Sequence, residues 1–363
     1  MARNNKQQRF DPAKTPVKGA VREPVKTSSK VKIAETPTSE KQKPVAKKKR
    51  RGGRPGGRSP VPVVHKATFA DWVAGARIRT LPLAIAPVAL GTAAALAHDG
   101  VFLSSGFQGA HWVRALLCLA VALGLQVGVN YANDYSDGVR GTDALRVGPS
   151  RLTGSGAAKP RTVLTVALVF FALAALAGVA VVVLSGQYWM LAVGAAAILA
   201  AWFYTGGRHP YGYYGLGEVF VFVFFGLVAT AGTMFVQVGT VTLEGWIAGA
   251  SAGFLACAVL LSNNLRDLDQ DRRAGKRTVT VLFGEFTSRV LFTVFVLLPF
   301  VGLWFFTLLY ENAFYVFFAL LLALPAALIV LMAKTPKEFL LALKLTSLTA
   351  LVYGVGLALA IAF

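Results

Sequence analysis

The chain has 363 residues, a mean hydropathy of +0.57 and a formal net charge of +20. Apolar residues make up 55% of it and charged residues only 15%, whereas soluble globular domains are about 45–50% apolar and about 25% charged. The hydropathy excludes an ordinary soluble protein, and the net charge excludes a surface of evenly mixed signs. Residues 1–66 hold 19 of the 37 Lys and Arg residues but only 4 of the 17 acidic residues. The chain therefore combines a basic polar tail, 1–66, with a very apolar body, 67–363.

The tail is rich in Lys, Arg, Pro and Ser and has almost no aromatic residues. It has too little apolar surface to offset the entropy of ordering, so we predict a disordered tail. Its densest basic run, KKKRRGGRPGGR at 47–58, lies shortly before the first apolar segment, where each basic residue gains about 1 kcal/mol near an anionic leaflet. Two interpretations stay open: a tether that contacts anionic lipid, and a solubilising tail. No nucleic-acid partner is expected, because aromatic residues for base stacking are missing.

Nine apolar segments of the body predict membrane-spanning helices, because about 20 mostly apolar residues cross a bilayer. They are 81–97, 113–132, 162–184, 188–205, 217–238, 244–262, 289–309, 313–332 and 341–362. The first is short and contains Pro82 and Pro87, which predict a kink. Residues 69–80 predict an interfacial helix anchored by Trp72. The predicted fold class is an all-α membrane protein with nine helices in one bundle.

The loops between these segments alternate in charge. Loops after the even-numbered segments carry Lys and Arg, and loops after the odd-numbered segments carry almost none. Positively charged loops stay on the cytoplasmic side of the cell membrane, so the even loops and the basic tail are predicted to be cytoplasmic and the C-terminus to be outside. Tail and loops indicate the same orientation independently, and one wrong segment would break the alternation.

Six of the thirteen acidic residues of the body lie in two short stretches at the cytoplasmic ends of the second and sixth segments. The first stretch is NYANDYSDGVRGTD at 130–143, and the second is NNLRDLDQDRRAGKR at 263–277. Each begins with Asn, has Asp four residues later and a further Asp three or four residues beyond, so these side chains share one helix face. The two helices run in the same direction and their ends can meet, as in a weak internal repeat of the parallel kind.

Carboxylates crowded at helix ends repel one another, and divalent cations would neutralise them. Mg²⁺ takes oxygen ligands and is usually held by one or two carboxylates together with substrate phosphates. The Arg and Lys residues that follow each stretch can hold phosphate oxygens. The two stretches therefore predict a site for a metal-bound diphosphate. For a single residue such as Arg140 or Arg272, the alternative is a solvated loop charge that sets topology, and Asp269, which is out of phase, is expected to be solvated.

The paired stretches resemble the two Asp-rich motifs of the UbiA superfamily of intramembrane aromatic prenyltransferases, and the resemblance runs from about residue 70 to the end. The second motif of the family, D-x-x-x-D, is matched by Asp267 and Asp271. The first, N-x-x-x-D-x-x-x-D, is matched at Asn130 and Asp134, but Gly138 stands at its last position. Two nearby residues are candidates to complete it, namely Asp137 and Asp143.

Further segments are most similar to the branch of the superfamily that prenylates 1,4-dihydroxy-2-naphthoate for menaquinone biosynthesis. They are 133–143 with 146–156, 204–226, and 263–278. The resemblance implies nine helices around a central cavity that opens sideways to lipid, with Mg²⁺ as cofactor and a polyprenyl diphosphate as donor. It also implies 1,4-dihydroxy-2-naphthoate as acceptor, with loss of CO₂ and formation of demethylmenaquinone. The basic tail is not part of the family pattern.

Site residues follow from the motifs and the resemblance together. The predicted Mg²⁺ ligands are Asp134, Asp137, Asp267 and Asp271, with Asn130 and Asn263 as ligands or as orienting groups. The residues predicted to neutralise the leaving diphosphate are Arg140, Lys276 and Arg277. The glycine-rich loop from Tyr204 to Glu218 is expected to cap the cavity or to bind the acceptor, and Arg79 and Arg151 are candidates to reach the acceptor carboxylate. Ring faces of Tyr131, Tyr135 and Tyr204 either stabilise an allylic cation or belong to an interfacial aromatic belt.

Three other functions are alternatives to this one. A secondary transporter would carry its charged residues near the bilayer midplane, whereas this chain places them at one membrane face. A membrane scaffold that recruits partners through the tail leaves the paired acidic stretches unexplained. A prenyltransferase with another aromatic acceptor, such as 4-hydroxybenzoate or a chlorophyll or haem precursor, fits the residues equally well. Prenyl chain length has no visible signal in the sequence.

Overall fold

The computed structural model describes residues 66–98, 109–142 and 151–363. Regular secondary structure in these ranges is helical throughout. Asp143 and the predicted disordered tail, up to residue 65, lie outside the described residues, so the predictions made for them stay predictions. The predicted boundary between tail and body at residue 66 also stays a prediction.

Most helices follow the predicted apolar segments within about five residues, but the helix of segment 113–132 continues to Arg140 and the helix of segment 289–309 begins at Val279. The α-helices are α1 (Phe69–Gly75), α2 (Pro82–His98), α3 (Gly109–Arg140), α4 (Pro160–Ser185), α5 (Met190–Phe203), α6 (Gly217–Val221), α7 (Ala229–Val238), α8 (Leu243–Arg266), α9 (Leu268–Arg273), α10 (Val279–Thr307), α11 (Leu320–Met332) and α12 (Pro336–Ala362). A π-helical stretch, Phe222–Val228, joins α6 to α7, and 3₁₀ helices span Ile78–Thr80, Tyr211–Tyr214 and Glu311–Ala319. A π-helical stretch inside a longer helix is frequent near functional sites.

Length and composition allow seven helices of the described ranges to cross a membrane, with Gly217–Val238 and Glu311–Met332 each taken as one helix. Phe69–Thr80 and Pro82–His98 meet at 45° and supply an eighth crossing if they form one broken span. The remaining predicted segment corresponds to α5, whose 14 residues extend over about 21 Å, less than the roughly 30 Å hydrocarbon core. The all-helical membrane bundle is confirmed, and the count of nine crossings stays a prediction.

Two large clusters of buried apolar side chains hold the bundle together. The first joins α2, α8, α10, α11 and α12 around fully buried residues such as Leu90, Phe292 and Tyr353. The second joins α1, α3 and α4 around Val163 and Phe171. The prediction that the ends of the two repeated helices meet is confirmed, because residues from the ends of α3 and α8 line one pocket at one end of the bundle.

Glycine permits the close contact between α8 and the π-helical stretch. A Cβ atom built on Gly226 would lie 2.5 Å from the Cα atom of Gly253 and 2.6 Å from the carbonyl oxygen of Gly249. No larger residue fits at this crossing without moving a backbone. The contact fixes one wall of the central cavity, because Phe224, Phe225 and Val228 of this stretch face the cavity together with residues of α8.

Candidate functional site

A large apolar cavity runs through the interior, with a volume of about 460 Å³. Its walls come from α2, α3, α4, α5, the helix Gly217–Val238 and α8, and they consist mainly of Ala, Val, Leu and Phe side chains. The short helix α5 contributes a wall of small side chains, including Gly194 and Ala197. The cavity suits an apolar chain rather than a charged solute.

A smaller polar pocket, of about 90 Å³, adjoins one end of the apolar cavity. Its carboxylates, amides and cations are Asp137, Asp267, Asp271, Asn133, Asn263, Asn264, Gln270, Arg77, Arg151 and Lys276. Five residues line both spaces, namely Arg77, Asn133, Tyr204, Leu260 and Asn263. The two spaces therefore adjoin at these residues, and together they fit a molecule with a long apolar body and a charged head. The charged residues of this pocket lie at the helix ends. A secondary transporter would require them near the middle of the membrane.

Asp137 is the centre of the hydrogen-bond network of the pocket. Its side chain is only 3% exposed, and its Oδ1 accepts a hydrogen bond of 2.6 Å from the hydroxyl of Tyr213. Its Oδ2 accepts a hydrogen bond of 3.2 Å from Nζ of Lys276, and Nη2 of Arg151 lies 3.7 Å from the same oxygen. A buried carboxylate is tolerated only with such partners. The network joins the end of α3 to the loop after α9.

Burial and the neighbouring charges set the pKa values of Lys276 and Tyr213. Burial, the largest single effect, lowers the pKa of Lys276, but Asp137, Tyr213 and Asp271 together outweigh it, and the pKa of Lys276 lies above its ordinary value. Burial and the Asp137 carboxylate raise the pKa of the Tyr213 phenol. The Lys276 ammonium also lies 4.7 Å from the centroid of the Tyr213 ring, within range of a cation–π contact. At neutral pH the pocket thus holds a charged ammonium beside a neutral phenol.

The end of α8 and the short helix α9 supply the other two carboxylates of the pocket. Asp267 terminates α8, and its oxygens accept two hydrogen bonds of 2.7 Å from Nε and Nη2 of Arg266. Asp271 is buried one helical turn later. Asp269 lies between them with a side chain that is 84% exposed, so the prediction that it is solvated is confirmed.

Asn133 was not among the predicted site residues, yet it lines both spaces. Its Oδ1 accepts a hydrogen bond of 2.7 Å from the Thr205 hydroxyl. Asn133 and Asp137 are four residues apart, the same spacing as Asn130 and Asp134, so the helix presents an Asn-x-x-x-Asp pair three residues later than the predicted pair. Asn130 lines the apolar cavity instead, and its Nδ2 donates to the Ala76 carbonyl at 3.0 Å.

Asp134 departs from its predicted role as a metal ligand. It is 2% exposed and is not among the residues that line the polar pocket. Its Oδ2 and Oδ1 accept hydrogen bonds of 2.9 Å from the backbone N–H groups of Leu152 and Thr153. The carboxylate is therefore engaged by a neighbouring backbone turn, and its placement does not support metal binding.

Two of the cations predicted to hold diphosphate also lie outside the pocket. The Arg140 guanidinium donates to the carbonyls of Thr205 and Gly207 and lies 5.3 Å from the Tyr213 ring centroid, so it fixes the loop after α5. Arg277 is exposed on the surface. Long side chains beside a turn can point in several directions, and sequence spacing does not distinguish them.

The remaining predicted residues divide between the pocket and its surroundings. Those that line the pocket are Tyr204, Asn263, Arg151 and Lys276. Glu218 lies behind it, where its Oε1 accepts a hydrogen bond of 2.9 Å from Nδ2 of Asn264. Tyr131 donates to the Trp72 carbonyl at 2.6 Å and packs in the α1–α3–α4 cluster, so its ring does not face the site.

Sequence reasoning missed Arg77, Tyr213 and Asn264. Arg77 has the left-handed backbone conformation, with φ of 54°, which is strained for a residue other than glycine and is found preferentially at functional sites. Tyr213 lies within the glycine-rich loop that was expected to cap the cavity, and Asn264 directly follows the predicted Asn263. Each of the three lies in or beside a segment that the sequence singled out, and for Arg77 that segment is the predicted interfacial helix 69–80.

The oxygen-rich pocket does not form a ready-made metal site. Within the described ranges, no three His, Cys, Asp or Glu side chains come close enough to hold an ion by themselves. The carboxylates and amides present are nevertheless the donors that Mg²⁺ prefers, and Mg²⁺ commonly binds one or two carboxylates while phosphates and water complete its shell. The residues fit a metal that arrives together with a phosphate-bearing ligand.

An apolar cavity that ends in a pocket of carboxylates, amides and cations defines an intramembrane protein for an amphipathic substrate with an anionic head. The model of the UbiA prenyltransferase family matches residues 84–338, and the chain belongs to that family. It is a multi-pass membrane protein and a prenyltransferase.

Curated relatives share much of the chain. A 1,4-dihydroxy-2-naphthoate octaprenyltransferase from Mycobacterium tuberculosis is 48% identical over 300 residues, covering 82% of this chain and 98% of the relative. An Escherichia coli protein of the same name is 39% identical over 226 residues, covering 60% of this chain and 70% of the relative.

Solved structures share the fold at low sequence identity. A UbiA homolog from Aeropyrum pernix K1 has a TM-score of 0.57 at 16% identity, covering 75% of this chain and 96% of the homolog. A homolog from Archaeoglobus fulgidus, bound to GPP and Mg²⁺, has a TM-score of 0.54 at 15% identity, covering 79% of this chain and 99% of that homolog.

Proposed function

We propose that the protein transfers a polyprenyl group from a polyprenyl diphosphate to 1,4-dihydroxy-2-naphthoate. The observation that carries the proposal is that the apolar cavity and the polar pocket adjoin and share lining residues. The names of the relatives from M. tuberculosis and E. coli supply the acceptor. The product, after loss of the acceptor carboxyl group as CO₂, is demethylmenaquinone.

The donor lies across the boundary between the two spaces. Its prenyl chain occupies the apolar cavity, and its diphosphate occupies the polar pocket near Arg77, Arg151 and Lys276. Guanidinium and ammonium groups bind phosphate oxygens through charge-assisted hydrogen bonds. This orientation places the reactive carbon at the residues common to both spaces, among which are Tyr204 and Asn263.

Mg²⁺ is the proposed cofactor, and Asp137, Asp267 and Asp271 are its proposed protein ligands, with Asn133 and Asn263 as neighbouring oxygen donors. The A. fulgidus homolog was solved with GPP and Mg²⁺ and, separately, with DMAPP and Mg²⁺. When bound, the metal stabilises the negative charge that develops on the leaving diphosphate. Of the four aspartates predicted from the sequence, this proposal keeps Asp137, Asp267 and Asp271 and leaves out Asp134, and Asn133 takes the place of Asn130.

The reaction exchanges one bond of the donor for one bond of the product. The allylic C–O bond breaks, its electron pair leaves with the diphosphate, and an electron-rich ring carbon of the acceptor forms the new C–C bond. The carboxyl group on that carbon leaves as CO₂, and its electron pair restores the ring. Lys276 and Arg151 balance the charge of the leaving group, and the apolar cavity keeps water from the allylic centre.

The membrane arrangement is part of the same proposal. The basic loops support a polar pocket at the cytoplasmic face of the cell membrane, with the N-terminus inside and the C-terminus outside. Residues 67–363 are the catalytic domain, and residues 1–66 are a cytoplasmic tail that contacts anionic lipid.

Acceptor choice is tested with the purified full chain in lipid nanodiscs, one polyprenyl diphosphate and a panel of acceptors. With 1,4-dihydroxy-2-naphthoate and Mg²⁺ we expect diphosphate release and a prenylated product without the carboxyl group, detected by mass spectrometry, and no product with EDTA. Product from 4-hydroxybenzoate but not from the naphthoate would contradict the proposed acceptor and support prenyl transfer from the diphosphate donor. Diphosphate release without any metal would contradict the Mg²⁺ proposal.

The path of the prenyl chain is tested at Gly194 on α5. No heavy atom lies within 4 Å of a Cβ built there, so Gly194→Phe is accommodated locally while its ring fills part of the cavity. We expect kcat/KM to fall about tenfold for a long polyprenyl diphosphate and much less for geranyl diphosphate. Ala196→Phe is the matched control, because Ala196 is exposed and does not line the cavity. Equal losses in both variants, or for both donors, would contradict this path.

A further inference from the structure

We propose that Asp134 is a positioning residue that holds Arg151 in the polar pocket through the backbone of the turn Arg151–Gly156. The inference rests on the proposed function for the role of Arg151, but the structural claim is independent of any substrate. The motif pattern suggests that Asp134 binds metal. The proposal assigns it a different role.

The Asp134 carboxylate is committed to the turn. Each of its oxygens accepts one backbone hydrogen bond of 2.9 Å, from Leu152 and from Thr153, and the residue is 2% exposed. Hydrogen bonds to an ionised acceptor are stronger than neutral ones, and a buried donor that loses its acceptor is costly. The carboxylate therefore joins two consecutive peptide groups to α3.

The turn is compact and packs directly on α3. Three backbone hydrogen bonds of 3.0 Å close it: Ser155 N–H to the Arg151 carbonyl, Gly156 N–H to the Thr153 carbonyl and Ala158 N–H to the Leu152 carbonyl. Gly138, one helical turn after Asp134, leaves room for it, because a Cβ built on Gly138 would lie 2.5 Å from Cβ of Thr153. The turn therefore has one fixed position on the helix.

Arg151 begins this turn and extends into the pocket. Its Nη2 lies 3.7 Å from Oδ2 of Asp137, and its side chain is 10% exposed. Asp134 and Asp137 are three residues apart on α3, so the same helix face fixes Arg151 twice, through the adjacent backbone and through its guanidinium. A fixed guanidinium fork loses less entropy when it binds phosphate oxygens, which is why its placement matters for the donor.

The test compares Asp134→Asn with wild type in nanodiscs. Asparagine has one carbonyl oxygen for two backbone donors, so amide hydrogen exchange of residues 151–156, followed by mass spectrometry without substrate, is expected to accelerate about tenfold. With 1,4-dihydroxy-2-naphthoate saturating, KM for a polyprenyl diphosphate is expected to rise about tenfold. The Mg²⁺ concentration for half-maximal rate is expected to stay within about twofold of wild type, because one lost metal ligand shifts it far more.

Arg151→Ala completes the experiment and serves if Asp134→Asn folds poorly. It is expected to raise the same KM, and the double variant is expected to be no worse than Arg151→Ala alone, because both changes act on one interaction. Asp269→Asn is the matched control, and its exposed side chain predicts no change in exchange or in KM. Additive effects, or a Mg²⁺ shift in Asp134→Asn as large as in Asp137→Asn, would overturn the proposal.

The two proposals fail in different ways. If wild type does not prenylate the naphthoate but exchange at 151–156 accelerates in Asp134→Asn, the proposed function is wrong while the anchoring role of Asp134 stands. If wild type is active and exchange in Asp134→Asn is unchanged, the role of Asp134 is wrong while the proposed function stands.

Discussion

Asp137→Asn is expected to lower the rate of prenyl transfer by about 10²–10³-fold, the usual cost of removing one group that stabilises charge in the transition state. The amide keeps the size of the side chain but removes the charge that balances Lys276 and Arg151 in the pocket. It also removes a proposed ligand of Mg²⁺, so the Mg²⁺ concentration for half-maximal rate is expected to rise. Single-turnover assays at several Mg²⁺ concentrations measure both effects.

Loss of the Asp137 charge also leaves two buried cations with less compensation, so folding must be checked separately. Thermal unfolding in nanodiscs gives that check, and Glu311→Gln makes the same carboxylate-to-amide change at an exposed residue outside the pocket. A folded Asp137→Asn variant with more than about a tenth of wild-type turnover would contradict the assignment, since a proposed metal ligand typically costs 10–100-fold or more.

The helical bundle was predictable because its physical cause is local. Each apolar segment forms its backbone hydrogen bonds within its own helix. A helix is the only regular structure in which a single segment satisfies its backbone groups in lipid. The glycine at C-terminal positions such as Gly186 and Gly239, both in the left-handed conformation, marks the ends of α4 and α7. Boundaries of this kind depend on neighbours in sequence, and the predicted segments match them closely.

The register of the first acidic motif was not predictable in the same way. Asn130 with Asp134 and Asn133 with Asp137 have the same spacing, and their side chains point within about 60° of one another around α3. Only the rotation of α3 in the bundle decides which pair faces the pocket. That rotation is set by distant contacts, among them the packing of Tyr131 against Trp72, and no pattern within residues 130–143 reports it.

The destinations of the basic side chains were similarly hidden. Arg140 and Lys276 both contact the Tyr213 ring, but Arg140 caps backbone carbonyls while Lys276 pairs with Asp137. The difference arises from the path of the loop that contains Tyr213, whose carbonyl accepts the backbone N–H of Arg277. A long side chain follows the position of its partners, and those partners come from elements far apart in sequence.

Asp271→Ala is expected to lower the rate of prenyl transfer in steady-state assays by about 10²–10³-fold. Asp271 is buried and lines the pocket, and its backbone carbonyl accepts the N–H of Lys276 at 2.9 Å. The substitution leaves that backbone contact in place, so Lys276 keeps its position. The loss of rate therefore measures the contribution of the Asp271 carboxylate. Raising Mg²⁺ is expected to recover only part of the rate.

Asp269→Ala separates this effect from a general loss of charge on α9. Asp269 lies two residues away on the same short helix, but its side chain is exposed. It pairs with Arg272 at 3.8 Å on the surface, where such pairs contribute little. We expect its turnover to match wild type. The contrast depends on helix phase alone, because both variants remove one carboxylate from one six-residue helix. Equal turnover in the two variants would mean that the pocket does not use the Asp271 carboxylate.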